Sequence, residues 1–281
     1  MQIRISYILG IFIFVSLSCS EQNEKSTAKS PQKAGFEIVG SQSSGITFKN
    51  VLKDDPLSDK NVLSYRHYFN GAGVGVADFN NDGLQDIFFA GNEVPNELYI
   101  NKGGLTFEKL GPNSGINKNK VWASGVSIVD INNDGFKDIY VCQQGPYTSA
   151  ERRNLFYINN GDLSFTEKAE AMGLDDDNYS TQAAFFDYDK DGDLDCYVMD
   201  ESKYAGVILK TVYEEIEDEA NMIAASGKFY ENTGNLKFKD VTKKAGVLNY
   251  GYGLGLAISD FNGDNWPDIY VANDYTVPDF M

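Results

Sequence analysis

Four copies of one nine-residue aspartate loop constrain this 281-residue chain more than any other feature. Each copy fits D-x-[DN]-x-D-[GN]-x-x-D, and the copies begin at Asp78, Asp130, Asp187 and Asp260. The intervals of 52, 57 and 73 residues are regular, and each is long enough for one four-stranded sheet. Short apolar runs flank every loop, GVGVA and DIFFA around the first, GVSIV and DIYV around the second. These flanks are β-branched, aromatic and Gly-rich without a helical period, so the loops join strands and not helices.

The loops have the chemistry of a hard-cation site. Calcium takes six to eight oxygen ligands, and oxygens at positions 1, 3 and 5 of a tight turn converge on one point. The candidate ligands are Asp78, Asn80, Asp82 and Asp86 in the first loop, and Asp130, Asn132, Asp134 and Asp138 in the second. The third offers Asp187, Asp189, Asp191 and Asp195, and the fourth Asp260, Asn262, Asp264 and Asp268. Main-chain carbonyls at position 7 would add Leu84, Phe136, Asp193 and Trp266, and the position-9 aspartate would close the shell. Gly83, Gly135 and Gly192 stand at position 6, where the turn needs a left-handed backbone. Asn265 takes that place in the fourth loop, and Asn tolerates the conformation better than most residues. Up to four Ca²⁺ ions are therefore expected. Zinc and copper lack donors, because the chain has one histidine, His67, and three scattered cysteines.

A second signature follows each of the first three loops: an aromatic run, a Gly-containing turn and another strand, marked by Tyr99 and Phe107, Tyr157 and Phe165, and Tyr230 and Phe238. Each period thus supplies four antiparallel strands. The expected fold is all-β, a partial β-propeller with blades at about 61–120, 121–178, 179–248 and 249–281: three full blades and half a fourth. Phe36–Ile46 matches Phe107–Ile116, the fourth-strand segment, and reads as an orphan closing strand whose blade-mates would lie beyond Met281, so the sequence reads as a fragment. Glu201–Ser226, inside the third repeat, has the three- and four-residue apolar spacing of an inserted amphipathic helix.

The first nineteen residues read as an export signal: Arg4, an apolar run of about 13 residues that is too short to span a bilayer, then Cys19. A cysteine so placed resembles a bacterial lipobox and implies lipidation at Cys19, with residues 20–35 as a polar tether. The expected location is outside the cytoplasm, as a lipoprotein of the outer membrane or cell surface or one facing the periplasm, with the membrane reached through the lipid anchor alone. Net charge is −17, which argues against nucleic acid as a partner. Fourteen of the 41 acidic residues fall in the four loops, crowding that bound cations would relieve. Cys142 and Cys196 occupy different positions of their repeats and read as buried free thiols.

A Gly-rich strand, D-x-N-x-D-G-x-x-D and an aromatic strand, repeated in order from about Phe36 to Met281, resemble the FG-GAP (VCBS-type) repeat of the integrin α-subunit propeller. With the lipoprotein start, the N-x-G-x-x-x-F hairpins are similar to bacterial surface proteins bearing such repeats, relatives often longer, with seven blades and sometimes an ASPIC-type C-terminal module. The resemblance implies structural calcium and a non-catalytic binding or scaffold module that engages protein or glycan. The alternative is the propeller part of a carbohydrate-active hydrolase or lyase, although no catalytic constellation stands out. Antiparallel alternation places Tyr65, Arg66, His67, Tyr68, Tyr250 and Tyr252 at the end opposite the aspartate loops, where the aromatics either pack between blades or face a partner.

Overall fold

Small residues in the first strand of each repeat decide how the sheets assemble. The computed structural model describes residues 35–65, 67–116, 122–201, 226–274 and 277–281. The chain divides into two units, Met1–Ile38 and Val39–Met281, and every strand belongs to the second. The signal, Cys19 and nearly all of the tether lie outside the described residues, as do Arg66 and all but the ends of the expected helix at Glu201–Ser226.

The first blade is β1 (Val74–Ala77), β2 (Asp86–Phe89), β3 (Glu97–Asn101) and β4 (Phe107–Lys109), antiparallel and in sequence order. The second repeats it with β5 (Ala123–Val129), β6 (Asp138–Gln143), β7 (Leu155–Asn159) and β8 (Phe165–Glu167). The third comprises β9 (Ser180–Phe186), β10 (Asp195–Asp200), β11 (Lys228–Asn232) and β12 (Phe238–Asp240). In the fourth, β13 (Gly253–Ser259) pairs with β14 (Asp268–Asn273), and Phe280 forms an isolated bridge with Val271. Three full blades and half a fourth are therefore present, as the repeat predicts.

First strands of successive blades lie side by side. Ser124 Oγ donates to Ser180 O at 2.5 Å and Ser127 Oγ to Ala183 O at 2.6 Å, tying β5 to β9. A side chain at Gly125 would meet Thr181 O at 2.4 Å and Gln182 Cα at 3.0 Å. Both are backbone atoms that cannot step aside, so close approach is what requires the glycine. Gly125→Val is expected to lower stability by about 1–3 kcal/mol or more through overpacking, read as a lower denaturant midpoint; an unchanged midpoint would refute the close contact.

The cores lie between blades. One joins Phe79, Phe88, Leu98 and Ile100 to Ile139, Val141, Leu155 and Tyr157. The next joins Tyr140, Cys142 and Phe156 to Ala183, Cys196, Val198 and Tyr230. Each sheet thus buries apolar side chains against its neighbour, which no blade could do alone. Cys142 and Cys196 are both fully buried and free, and burial pushes both thiols up, so they remain protonated and unreactive.

A helical turn follows each fourth strand: a 3-10 turn at Pro112–Ser114, then α2 (Ala169–Met172) and α3 (Thr242–Ala245). An earlier copy, α1 (Ser41–Ser44), ends at Gly45, which packs against the Phe107 carbonyl as Gly115 packs against that of Phe165. Phe36–Ile46, expected as an orphan closing strand, divides into two parts. The helical-turn half forms and seats on the first blade, with Thr47 N donating to Tyr99 Oη at 3.2 Å. Phe36–Val39 forms no strand, and Phe36, Ile38 and Val39 are exposed. A strand needs a ladder partner, and this segment has none among the described residues.

Candidate metal centres

Each aspartate loop closes the hairpin between the first two strands of its blade. The register pairs the residue before the loop with the position-9 aspartate: Ala77 with Asp86, Val129 with Asp138, Phe186 with Asp195 and Ser259 with Asp268. Position 6 is left-handed in all four loops, at Gly83, Gly135, Gly192 and Asn265 (φ 86°, 89°, 95° and 70°). Position 4 is left-handed as well, at Asn81, Asn133, Lys190 and Gly263, a requirement the spacing did not reveal. Position-4 side chains link neighbouring loops. Asn81 Nδ2 donates to Gly135 O at 3.1 Å, and the Lys190 ammonium lies 3.9 Å from the Trp266 ring centre.

In all four loops acidic side chains turn onto the loop's own N–H groups, and in the third Asp187 Oδ2 accepts from Gly192 N at 3.1 Å. Asp78 accepts from Asp82 N at 3.1 Å and Gly83 N at 2.7 Å, and Asp130 accepts from the matching pair. Asn80, Asn132 and Asn262 each donate through Nδ2 to the position-5 carboxylate at 2.8–3.0 Å. An amide at position 3 therefore neutralises part of the local repulsion without an ion.

The third loop has no such amide. Asp189 stands where the other loops carry Asn, and it cannot donate. Ligand oxygens of Asp187, Asp189 and Asp195 lie within 4.8 Å of one another, the only such acidic group among the described residues. Asp187 Oδ1 and Asp193 Oδ1 are buried without a hydrogen-bond partner. Burial, and then Asp191, Asp189 and Asp187, push the Asp193 carboxyl above the usual range. Five aspartates at alternate positions thus present an oxygen-only donor set with unspent acceptors, which fits calcium better than any nitrogen- or sulfur-seeking metal.

The position-9 aspartates also have a second task. Asp138 is fully buried, its Oδ2 accepting Ile131 N at 3.0 Å and its Oδ1 accepting Asn159 N at 2.8 Å. Asp86 does the same with Phe79 N and Asn101 N, and Asp195 with Tyr188 N and Asn232 N. These carboxylates therefore latch each loop to the end of the third strand. The partner asparagines reciprocate: Asn101, Asn159 and Asn232 donate to the carbonyl just before the aspartate and accept from the glycine two residues on. The repeated N-x-G was visible in the sequence, but its link to the loop was not.

Burial pushes Asp138 and Asp195 up to about 6, opposed by the backbone N–H bonds they accept. Such a group holds a proton in the folded chain that the unfolded chain, with a carboxyl near 3.8, has already released. Its stabilising contribution is complete below the unfolded value and is lost as pH rises through the folded one. In chelator, the protein should accordingly melt higher at about pH 5 than at about pH 7.5; a melt that climbs across that interval would contradict these buried carboxyls.

A family model described as FG-GAP-like repeat matches residues 78–141 and 147–198. Cartilage acidic protein 1 of Xenopus tropicalis is 26% identical over 214 residues, covering 75% of this chain and 30% of that protein. The human protein of that name is 23% identical over 206 residues, covering 73% of this chain and 28% of its own length. The chain thus spans under a third of the curated relatives it matches. Among solved structures, an Agrocybe aegerita lectin that recognises non-reducing terminal N-acetylglucosamine aligns with a TM-score of 0.40 at 18% identity, covering 70% of this chain and 46% of the lectin. The match to FG-GAP-like repeats at residues 78–141 and 147–198 falls on consecutive blades of a partial β-propeller.

Proposed function

We propose that this chain is a calcium-stabilised, exported binding or scaffold module that engages protein or glycan without catalysing a reaction. The observation that carries the calcium reading is the third loop, where Asp187, Asp189 and Asp195 converge and a buried Asp187 oxygen has no partner. Asp191 and Asp193 would complete the oxygen set there, and the other three loops would bind more weakly, because their asparagines already occupy the position-5 carboxylates. The ion would supply positive charge to carboxylates that otherwise repel one another across a tight turn. Its role is structural: every aspartate loop hangs from two paired strands, so closing it fixes the blade end. Export through the signal and anchoring through lipid at Cys19 follow from the first nineteen residues.

The test is thermal unfolding of the chain in calcium and in excess chelator. Binding to the folded state alone raises stability by about 2.7 kcal/mol at a hundred times the dissociation constant, worth roughly 5–10 °C for a domain of this size. Superimposable melts would remove calcium from the account.

A further inference from the structure

The end of the blades opposite the aspartate loops repeats a second pattern that the calcium sites do not explain. Counting from the first aspartate of each loop, the residue eight before it is Trp122, Tyr179 and Tyr252 in the second, third and fourth repeats. The residues thirteen and fourteen after it are Gln143 and Gln144, Asp200 and Glu201, Asn273 and Asp274. The same backbone bond joins the two positions each time: Gln144 N to Trp122 O at 2.9 Å, Glu201 N to Tyr179 O at 2.8 Å, Asp274 N to Tyr252 O at 3.0 Å. Further bridges carry the pattern across blades, Asn92 with Trp122 and Glu201 with Tyr252. Aromatic and polar side chains therefore alternate along one end of the inner strands.

These polar groups are buried and incompletely bonded. Trp122, Gln143, Gln144 and Asp200 are 1%, 2%, 7% and 4% exposed. Among the described residues, Trp122 Nε1, Gln143 Nε2, Gln144 Oε1, Asp200 Oδ1 and Asn273 Oδ1 have no hydrogen-bond partner. Neither does the hydroxyl of Tyr65, whose ring meets Trp122 edge-on at 5.5 Å. A buried polar atom left unpaired costs about 1–3 kcal/mol, so six at one end of a fold, in register with its repeat, mark a place built to receive a partner. The charged neighbours are already engaged. His67 Nε2 lies 2.6 Å from Glu201 Oε1, and Arg152 donates to the Tyr147, Asp177 and Asn178 carbonyls while its guanidinium lies 4.0 Å from the Tyr179 ring centre.

We infer that this end binds a neutral carbohydrate. The inference rests on the binding-module reading above and gives it a ligand class and an address. Two of the orphans are donors (Trp122 Nε1, Gln143 Nε2) and three are acceptors (Gln144 Oε1, Asp200 Oδ1, Asn273 Oδ1), distributed over this end of successive blades. Sugar hydroxyls donate and accept at once and can serve both kinds. The half-buried rings of Tyr65, Tyr179 and Tyr252 offer apolar faces for the C–H side of a pyranose. Uronates and sialosides would be poor ligands, because the described cations nearby are engaged, His67 with Glu201 and Arg152 with backbone carbonyls, and neither is offered to a carboxylate.

Calorimetric titration of the full chain in calcium with cello-, manno-, xylo- and chito-oligosaccharides, and with oligogalacturonate as the anionic control, tests this. At least one neutral series should bind, and oligogalacturonate should not. Gln144→Leu should weaken binding roughly tenfold while leaving the melting temperature unchanged or raised, because it removes an unpaired polar atom. Trp122→Phe should weaken binding similarly but lower the melting temperature, because it also empties core volume beside Tyr65 and Tyr68. No binding to any neutral series at millimolar concentration overturns the inference, as does binding that survives both substitutions. If calcium still stabilises the fold in that case, the module reading stands with a protein partner, and only the carbohydrate site is lost.

Discussion

Asp138→Ala should destabilise the protein by about 3–5 kcal/mol, a fall in melting temperature on the order of 10 °C. The substitution removes the two acceptors that Ile131 N and Asn159 N use in a fully buried site. Both N–H groups would then be left without partners, and the loop would lose its tie to β7. Asn159 also donates to Phe79 O at 2.9 Å in the first blade, so the damage crosses the blade boundary. The effect should persist in chelator, because the bonds are made by protein alone. Asp138→Asn keeps the shape and one acceptor oxygen, and should cost an intermediate amount. Equal melting curves for wild type and Asp138→Ala in chelator would mean that Asp138 acts only as a calcium ligand.

Asp189→Asn should have opposite effects in the two ionic states. The first, second and fourth loops carry Asn at this position, and its amide binds the position-5 carboxylate. Installing that amide in the third loop should raise the melting temperature in chelator, since one repelling charge becomes a hydrogen-bond donor to Asp191. In calcium the same change should weaken uptake and remove part of the roughly 2.7 kcal/mol that saturating ion supplies. The crossing of the two effects identifies Asp189 as a ligand; a shift of the same sign in both media would make it an ordinary surface carboxylate.

The repeat was legible because the constraint it encodes is local and periodic. Loop length, the position-6 glycines and the flanking apolar runs all fall within about twenty residues, so spacing alone places the hairpins and counts the blades. What escaped the sequence was long-range. Asp86, Asp138 and Asp195 reach third-strand amides 15, 21 and 37 residues away in sequence, and nothing in the loop motif announces that bond. Position 4 was hidden for another reason: Asn81 and Asn133 suit a left-handed backbone, but Lys190 does not advertise it. Similarity of Phe36–Val39 to the segment at Phe107 reports side-chain pattern, whereas a strand also requires a neighbour, which this segment lacks among the described residues.

The end opposite the loops shows the same division. Tyr65, His67, Tyr250 and Tyr252 stand out in the sequence as aromatics between blades. Trp122, Gln143 and Gln144 did not, because single residues at repeat offsets of −8, +13 and +14 gain meaning only once strand pairing brings them together. His67 proves to be paired with Glu201 and ringed by Tyr65, a packed residue at the junction of the first and third repeats.

Calorimetric titration of Ca²⁺ into the metal-free, folded chain bears most directly on the whole account, because oxygen-rich turns closed by a hard cation are its foundation. Wild type should take up calcium with measurable heat, its tightest site lost or weakened in Asp189→Asn. A flat titration of correctly folded wild-type protein would contradict it.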